Sequence, residues 1–465
     1  MIKIVYTITS SILLVLLLGK AYPDHIDTQY IGIILSINFL SFLLFFLKKE
    51  NDINLRKQQL KASSLFIIGF VVVHFQMYLD VVLGYISDTN SILFINNRIA
   101  LKSLLISSIA FNLFCLGYIL NQEKNIKQTQ VSSLTYSKPL KTKVLFLISI
   151  ILLLLYFSPN ESGPWGTLFE CAISALLILK SRNLVLTKGY GIQLKKVLYS
   201  LKEAIIPLSV YLIYLLVTGE RGTIIFNGLF LAGIIAHVSN LKLNGVRLLL
   251  LIVVSSSILT LLGVARKFED ESSFIDKLNI ALNTEETDSS HRYPNSILPS
   301  TKELASSGRI LNIAVNEIEQ GASHTYGLFV AQDLMLLFPS LRSTFVDTFN
   351  IPYILTGSPE YFTYIDLGKF PTWGVGTSCV ADTYTDFGIV GVVIIYFAFG
   401  FFVRKLDLTI YRKTFPNYIL FTLSLLVLSF SIYISRSSLL YFLNKLPYIV
   451  IFIYFTVLIN KIKPH

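Results

Sequence analysis

Long apolar runs, broken by short polar connections, fill most of the chain. Segments 4–18, 31–47, 65–86, 103–120, 144–157, 168–179, 197–217, 223–236, 248–264, 389–403, 418–434 and 447–459 are apolar nearly throughout. A helix crossing the hydrocarbon core of a bilayer needs about 20 such residues, with a working range of about 17–25. The pattern predicts an all-α polytopic membrane protein with about twelve transmembrane helices. Runs 144–157 and 168–179 are short, and a stretch that begins and ends with proline (159–164) separates them. They read as two spans or one re-entrant hairpin; two spans keep the later basic connections alternating correctly. The first run follows Lys3, and no small-x-small cleavage site follows it cleanly, so it is expected to be a retained signal anchor.

One connection does not fit the short-loop pattern. Segment 265–388 is far too long for a linker and is expected to carry structure of its own. It divides the chain into an amino-terminal membrane region of about nine helices (1–264), the large loop (265–388) and a carboxy-terminal membrane region of about three helices (389–465). Residues 268–300 are polar. From Ser307, the residues Ile310, Ile313, Ala314, Val315 and Ile318 recur at helical spacing. Residues 326–349 are amphipathic and suited to the membrane interface. Tyr353, Tyr361, Tyr364 and Trp373 are aromatic residues of the kind found at headgroup level.

Composition agrees with this pattern. Hydrophobic residues make up 53% and charged residues only 14%, against about 25% charged in a typical soluble domain, and mean hydropathy is +0.64. A soluble enzyme and a disordered chain are both excluded. Three cysteines exclude a disulfide scaffold, and Cys115, Cys171 and Cys379 are expected to be free thiols. The net charge of +11 would suggest nucleic acid in a soluble protein, but here it reads as a topology signal. Of the 39 basic residues, 25 fall in connections on one side, eight in segment 265–388, and the remaining six in short connections on that segment's side. Positive residues stay inside. Both termini are therefore expected in the cytoplasm and the large loop outside. The hydropathy shows no half-to-half repeat, which counts against an inverted-repeat transporter.

Against that background, three arginines stand at the outer ends of helices: Arg221, Arg266 and Arg436. A guanidinium fork grips phosphate bidentately. Gly219 and Gly222 flank Arg221 and permit close backbone approach, and the following helix would present its N-terminus, which favours an anion. The alternative for each arginine is simple snorkelling to the interface. A second cluster runs from Gly374 to Gly388 and holds Asp382, Tyr384 and Asp386. Asp382 is a candidate general base; the structural alternative is that Asp382 and Asp386 cap the following helix. His324 is the second candidate base. His74 and His237 sit in apolar runs and are expected to be packed or pore-facing. No metal-ligand spacing, Walker motif or dinucleotide fingerprint occurs, so neither metal nor cofactor is expected.

The arrangement of these residues resembles the O-antigen polymerases, the Wzy-type oligosaccharide repeat-unit polymerases. The resemblance rests on the topology, on Gly-Glu-Arg-Gly at 219–222, on Tyr326–Gly327, on Phe-Pro-Ser at 338–340 and on the run 374–388, with Arg436 a further point. Where the family places a glycine after the arginine, Ala232 stands here, followed by Gly233; where relatives often carry Glu, Asp382 stands. The resemblance implies a GT-C-like glycosyltransferase in the bacterial inner membrane. Its donor would be a glycan on undecaprenyl pyrophosphate, and its acceptor a sugar hydroxyl on another lipid-linked repeat unit. Arg221, Arg266 and Arg436 would bind pyrophosphate, and Asp382 or His324, with Tyr384 beside them, would serve catalysis. Transfer would be metal-independent and inverting, building an O-antigen or capsule, with a chain-length regulator as candidate partner. Two rivals stay open: an O-antigen ligase, which shares the chemistry, and a lipid-linked oligosaccharide flippase, which would need cations mid-helix where this chain has almost none.

Overall fold

A computed structural model describes the chain except for residues 1, 49, 51–54, 56–57, 59, 88–90, 122–137, 159–162, 219, 240–295, 339, 413–414 and 463–465. Among the described residues the regular structure is helical, apart from one isolated bridge between Ile192 and Ser239. The helices are α1 (Ile2–Leu18), α2 (Thr28–Leu47), α3 (Ala62–Val82), α4 (Asn97–Leu120), α5 (Lys143–Tyr156), α6 (Trp165–Lys188), α7 (Leu194–Thr218), α8 (Arg221–Val238), α9 (Arg309–Glu319), α10 (Leu328–Met335), α11 (Leu341–Thr348), α12 (Ser358–Leu367), α13 (Cys379–Tyr411), α14 (Tyr418–Ile434) and α15 (Leu446–Ile462). Eleven of the twelve predicted runs are helices, and run 248–264 lies outside the described residues. Among the described residues, seven helices are long and apolar enough to cross a membrane; α1, α5 and α14 are apolar but shorter. Run 168–179 is part of the 24-residue helix α6, longer than its apolar core suggested.

Apolar faces turned outward mark where lipid would lie. Ile4, Ile8, Ile12 and Val15 on α1 are exposed, as are Leu147, Ile151 and Leu154 on α5 and Ile206, Val210, Ile213 and Val217 on α7. Helix α4 is almost wholly enclosed and packs closely along α13. In lipid, helices gain little from hiding apolar surface and associate through close packing and polar contacts. Both devices are present. Gly117 on α4 lies against the carbonyl of Phe397, and Gly400 on α13 against that of Phe114, so a Cβ at either position would collide with backbone. Between α2 and α4, Asn38 donates to Ser108 Oγ at 2.7 Å, Asn112 donates to Asn38 Oδ1 at 3.0 Å, and Ser41 donates to Asn112 Oδ1 at 2.7 Å.

The two ends of the bundle differ. At one, Arg404 forms a buried bidentate pair with Glu50, at 2.5 and 2.7 Å. Asp407 beside it caps α3 from another helix, accepting from Ala62 N at 2.8 Å and Ser63 Oγ at 2.7 Å. Segment 296–378 covers the other end. It is tied to the last turns of α3: Thr301 donates to Gln76 at 2.7 Å, and Asp80 accepts from Ile297 N at 2.9 Å and Ser296 Oγ at 2.6 Å. The predicted amphipathic helix is α9, with Ile310, Leu311, Ile313, Ala314 and Val315 buried. Stretch 326–349 forms two short helices, α10 and α11, broken near Ser340, whose φ is +67°. The predicted boundary at Gly388 falls inside α13, where φ +63° and ψ −157° interrupt the helix, so 379–387 is a separate helical piece leading into the span.

Candidate functional site

Two predicted arginines meet. Arg221 opens α8, and Arg436 follows α14, its N–H bonded to Tyr433 O at 2.9 Å. Both reach Glu303, on the turn Lys302–Ala305: Arg436 Nη1 lies 3.1 Å from Oε1 and Arg221 Nη1 lies 3.7 Å from Oε2. One carboxylate thus sits between guanidinium groups from separate helices, with its side chain 67% exposed. Beneath them Phe226 stacks on Phe430 with centroids 3.9 Å apart, and Tyr433 meets Phe226 edge-on. Lys445 lies 5.6 Å and 5.7 Å from the centroids of the Phe226 and Phe430 rings and pairs with Glu170, which also accepts from Tyr211 Oη at 2.7 Å. The result is a cationic, aromatic-floored patch in which Glu303 and Glu170 offset part of the charge of Arg221, Arg436 and Lys445. Arg266 and Gly219 lie outside the described residues.

The piece 379–387 holds the predicted catalytic residues. Ser378 caps it, accepting from Ala381 N at 3.5 Å. Asp382 therefore does not cap its own helix; it lies inside the first turn, 4% exposed. Thr377 Oγ1 donates to Asp382 Oδ1. Oδ2 is buried and makes no directed hydrogen bond, although the Ser358 hydroxyl lies alongside. Asp386 corrects the capping expectation differently: it caps α10, not the helix that carries it. It accepts from Val330 N at 2.9 Å, Phe329 N at 3.3 Å and Thr325 Oγ1. Asp382 and Asp386, four residues apart, share a helix face, and both feel the charge of Asp333 on α10 or of each other. Asp333 itself contacts Ser438 and Leu440, just beyond Arg436, and Arg342. Burial pushes its carboxyl up to about 6.

Tyr384, two residues from Asp382, points to the opposite side, since two residues are about 200° of helix. There its ring lies 5.9 Å from Lys102 Nζ and 6.2 Å from the imidazole of His324. His324 Nδ1 lies 3.1 Å from Thr385 O. A carbonyl only accepts, so Nδ1 is the donor in this contact, and Nε2 lies outside it. The structure therefore separates the predicted set: Asp382 faces α10 and the segment after Arg436, whereas Tyr384 and His324 face the side where α1 ends and α4 begins. The two histidines of the apolar runs are packed. His74 lies against Phe70, and His237 bonds Ile410 O at 2.6 Å. The three cysteines are buried and free.

Glu303, Asp333, Lys445 and Glu170 are site residues that sequence reasoning missed. Glu170 had a usable signal, because a lone carboxylate in an apolar run asks for a partner. Glu303 lies in an unremarkable polar stretch, and only the fold brings it to the arginines.

Helices with lipid-ready faces and a covered end, where two guanidinium groups meet, describe a multi-pass membrane protein. Residues 334–463 match the family model for the O-antigen polysaccharide polymerase Wzy. The resemblance read from 374–388 and Arg436 falls within the matched region, which spans under a third of the chain; Gly219–Gly222 lies before it. No curated protein and no solved structure matches the chain.

Proposed function

We propose that the chain polymerises undecaprenyl-pyrophosphate-linked oligosaccharide repeat units into a surface polysaccharide on the outer face of the bacterial inner membrane. The observation that carries this reading is the convergence of Arg221 and Arg436 on the single carboxylate of Glu303. A patch that holds one anion between two guanidinium forks is suited to a pyrophosphate, which offers more oxygens and more charge. The acceptor hydroxyl oxygen bonds to the anomeric carbon as the bond from that carbon to the pyrophosphate oxygen breaks. The pyrophosphate leaves with the electron pair, stabilised by the arginines. The hydroxyl proton passes to Asp382, whose Oδ2, opposite the Thr377-bonded Oδ1, is the acceptor we assign. A single displacement inverts the anomeric centre, and the donor supplies the energy, so we infer no need for metal or nucleotide. His324, with Nε2 outside the Thr385 contact, is the second candidate base. We place both termini in the cytoplasm and segment 265–388 outside, because the basic connections gather at the Arg404 end.

The test is the polysaccharide ladder of a strain expressing Arg221 variants at matched protein levels. Arg221→Ala should abolish long chains, and Arg221→Lys should lose most of them, since lysine offers a point charge without the fork. A full ladder from Arg221→Lys would reduce Arg221 to an interfacial anchor. Loss of every repeat on lipid A, rather than collapse to single repeats, would instead favour a ligase.

A further inference from the structure

The six basic residues in the short connections on the loop's side, Lys20, Arg98, Lys102, Arg221, Arg436 and Lys445, do not scatter. Three form the patch described above. The other three line one cavity of about 470 Å³ where the end of α1 meets the starts of α4 and α13. We propose that this cavity is a second, separate site for a phosphate-bearing lipid headgroup.

Its lining suits that ligand. Lys20, Arg98 and Lys102 supply three positive charges, against Glu319 alone among the residues that line it. Glu319 holds Lys102 at 2.7 Å, while Arg98 lies over the Tyr22 ring and meets the exposed Asp24 at 4.0 Å. Among the residues lining the cavity, three cations thus stand against one carboxylate. Tyr22 and Tyr384 add amphipathic rings of the type found at headgroup depth. Below them Leu17, Leu18 and Ile389 are apolar, and Leu18 is exposed, giving a lipid chain a path down the outside of α1. A snorkelling role would scatter these cations around the bundle, each to its own stretch of interface; here three elements turn them into one cavity. Tyr384 lies on the opposite side of the 379–387 piece from Asp382, so the cavity and the arginine patch flank one short helix. Resting on the function proposed above, the lipid is the carrier of the second substrate chain, held by its own pyrophosphate.

Native mass spectrometry of the purified full chain with undecaprenyl pyrophosphate tests this without requiring turnover. Wild type should bind two lipids. Arg98→Gln with Lys102→Gln should bind one, the lost site weakening by about tenfold or more, and Arg221→Gln with Arg436→Gln should also bind one. Retention of both lipids by the Arg98/Lys102 variant overturns the proposal, as does a wild type that binds only one lipid, lost with Arg221 and Arg436. If that arginine variant instead keeps both lipids, the donor reading fails while the cavity stands. Because a double variant can simply misfold, Glu319→Gln supplies the opposite sign. It keeps every cation and frees Lys102, and should tighten the cavity by about threefold to tenfold; unchanged or weaker binding overturns the proposal. Phosphatidylglycerol distinguishes the source. Failure to displace the cavity's lipid assigns the site to the pyrophosphate carrier, and equal competition assigns it to bulk phospholipid; both uphold a phosphate headgroup site.

Discussion

Asp382 and Glu303 are both carboxylates at the covered end, and their surroundings give them different work. Asp382 is enclosed, with Thr377 bonded to Oδ1 and the Ser358 hydroxyl alongside. Asp382→Asn keeps the shape and the bond from Thr377 while removing basicity, so chain extension by purified protein should fall about 10²- to 10⁴-fold at unchanged membrane insertion. Near-normal extension would move the assignment to His324. Glu303 is exposed and shared by two arginines. Glu303→Gln removes the carboxylate that competes for them, and undecaprenyl pyrophosphate titrated against the purified variant should bind several-fold tighter than to wild type; weaker binding would show that Glu303 itself holds substrate. The sequence displayed the arginines, because cations stand out at the end of an apolar run. It could not display Glu303, since nothing local distinguishes a carboxylate that meets arginines from distant helices.

Helix α13 organises its neighbours. It caps α3 through Asp407 at one end and α10 through Asp386 at the other, each carboxylate satisfying backbone N–H groups that their own helices leave open. The break at Gly388 lets the site piece and the span take different directions. Its φ of +63° with ψ of −157° belongs to a region open essentially to glycine, and an added Cβ would lie 3.3 Å from the His324 ring. Gly388→Ala should therefore cost about 1–3 kcal/mol and disturb His324 in the same step. The check is the thermal midpoint of the purified variant together with its polysaccharide ladder; an unshifted midpoint would show that the break is not needed. Element positions were legible from hydropathy because spans are long and uniformly apolar. Caps supplied by other helices were not, because a capping motif in sequence records only neighbours along the chain.

For the molecule as a whole, the question is how firmly segment 296–378 sits on the bundle. Asp333 is one of its fastenings, beside Ser438 and Leu440, and burial raises its carboxyl from 3.8 to about 6. The sign follows from proton uptake. Between those values the folded protein holds the proton more tightly than the unfolded chain, so stability is greatest below about pH 4 and falls as pH rises through 6. The thermal midpoint should drop between pH 5 and pH 7.5, and Asp333→Asn should remove that part of the slope. An identical slope in the variant would assign the dependence to other groups. Overall architecture was readable from the sequence to the extent that helices, the long interruption and the basic bias were visible; which loop residues meet which helix ends depends on packing that no periodicity encodes. The carboxylate tethered between Arg221 and Arg436 also bears on competition within the membrane. Bare cations at a lipid surface would be coated by the commonest anionic phospholipid, present in large excess over any carrier. A phosphodiester that displaces Glu303 exchanges one single charge for another and gains little. A pyrophosphate brings a second phosphate and further oxygens, so the exchange runs in its favour. Glu303 would thus keep a scarce, doubly phosphorylated lipid from being crowded out by an abundant, singly charged one.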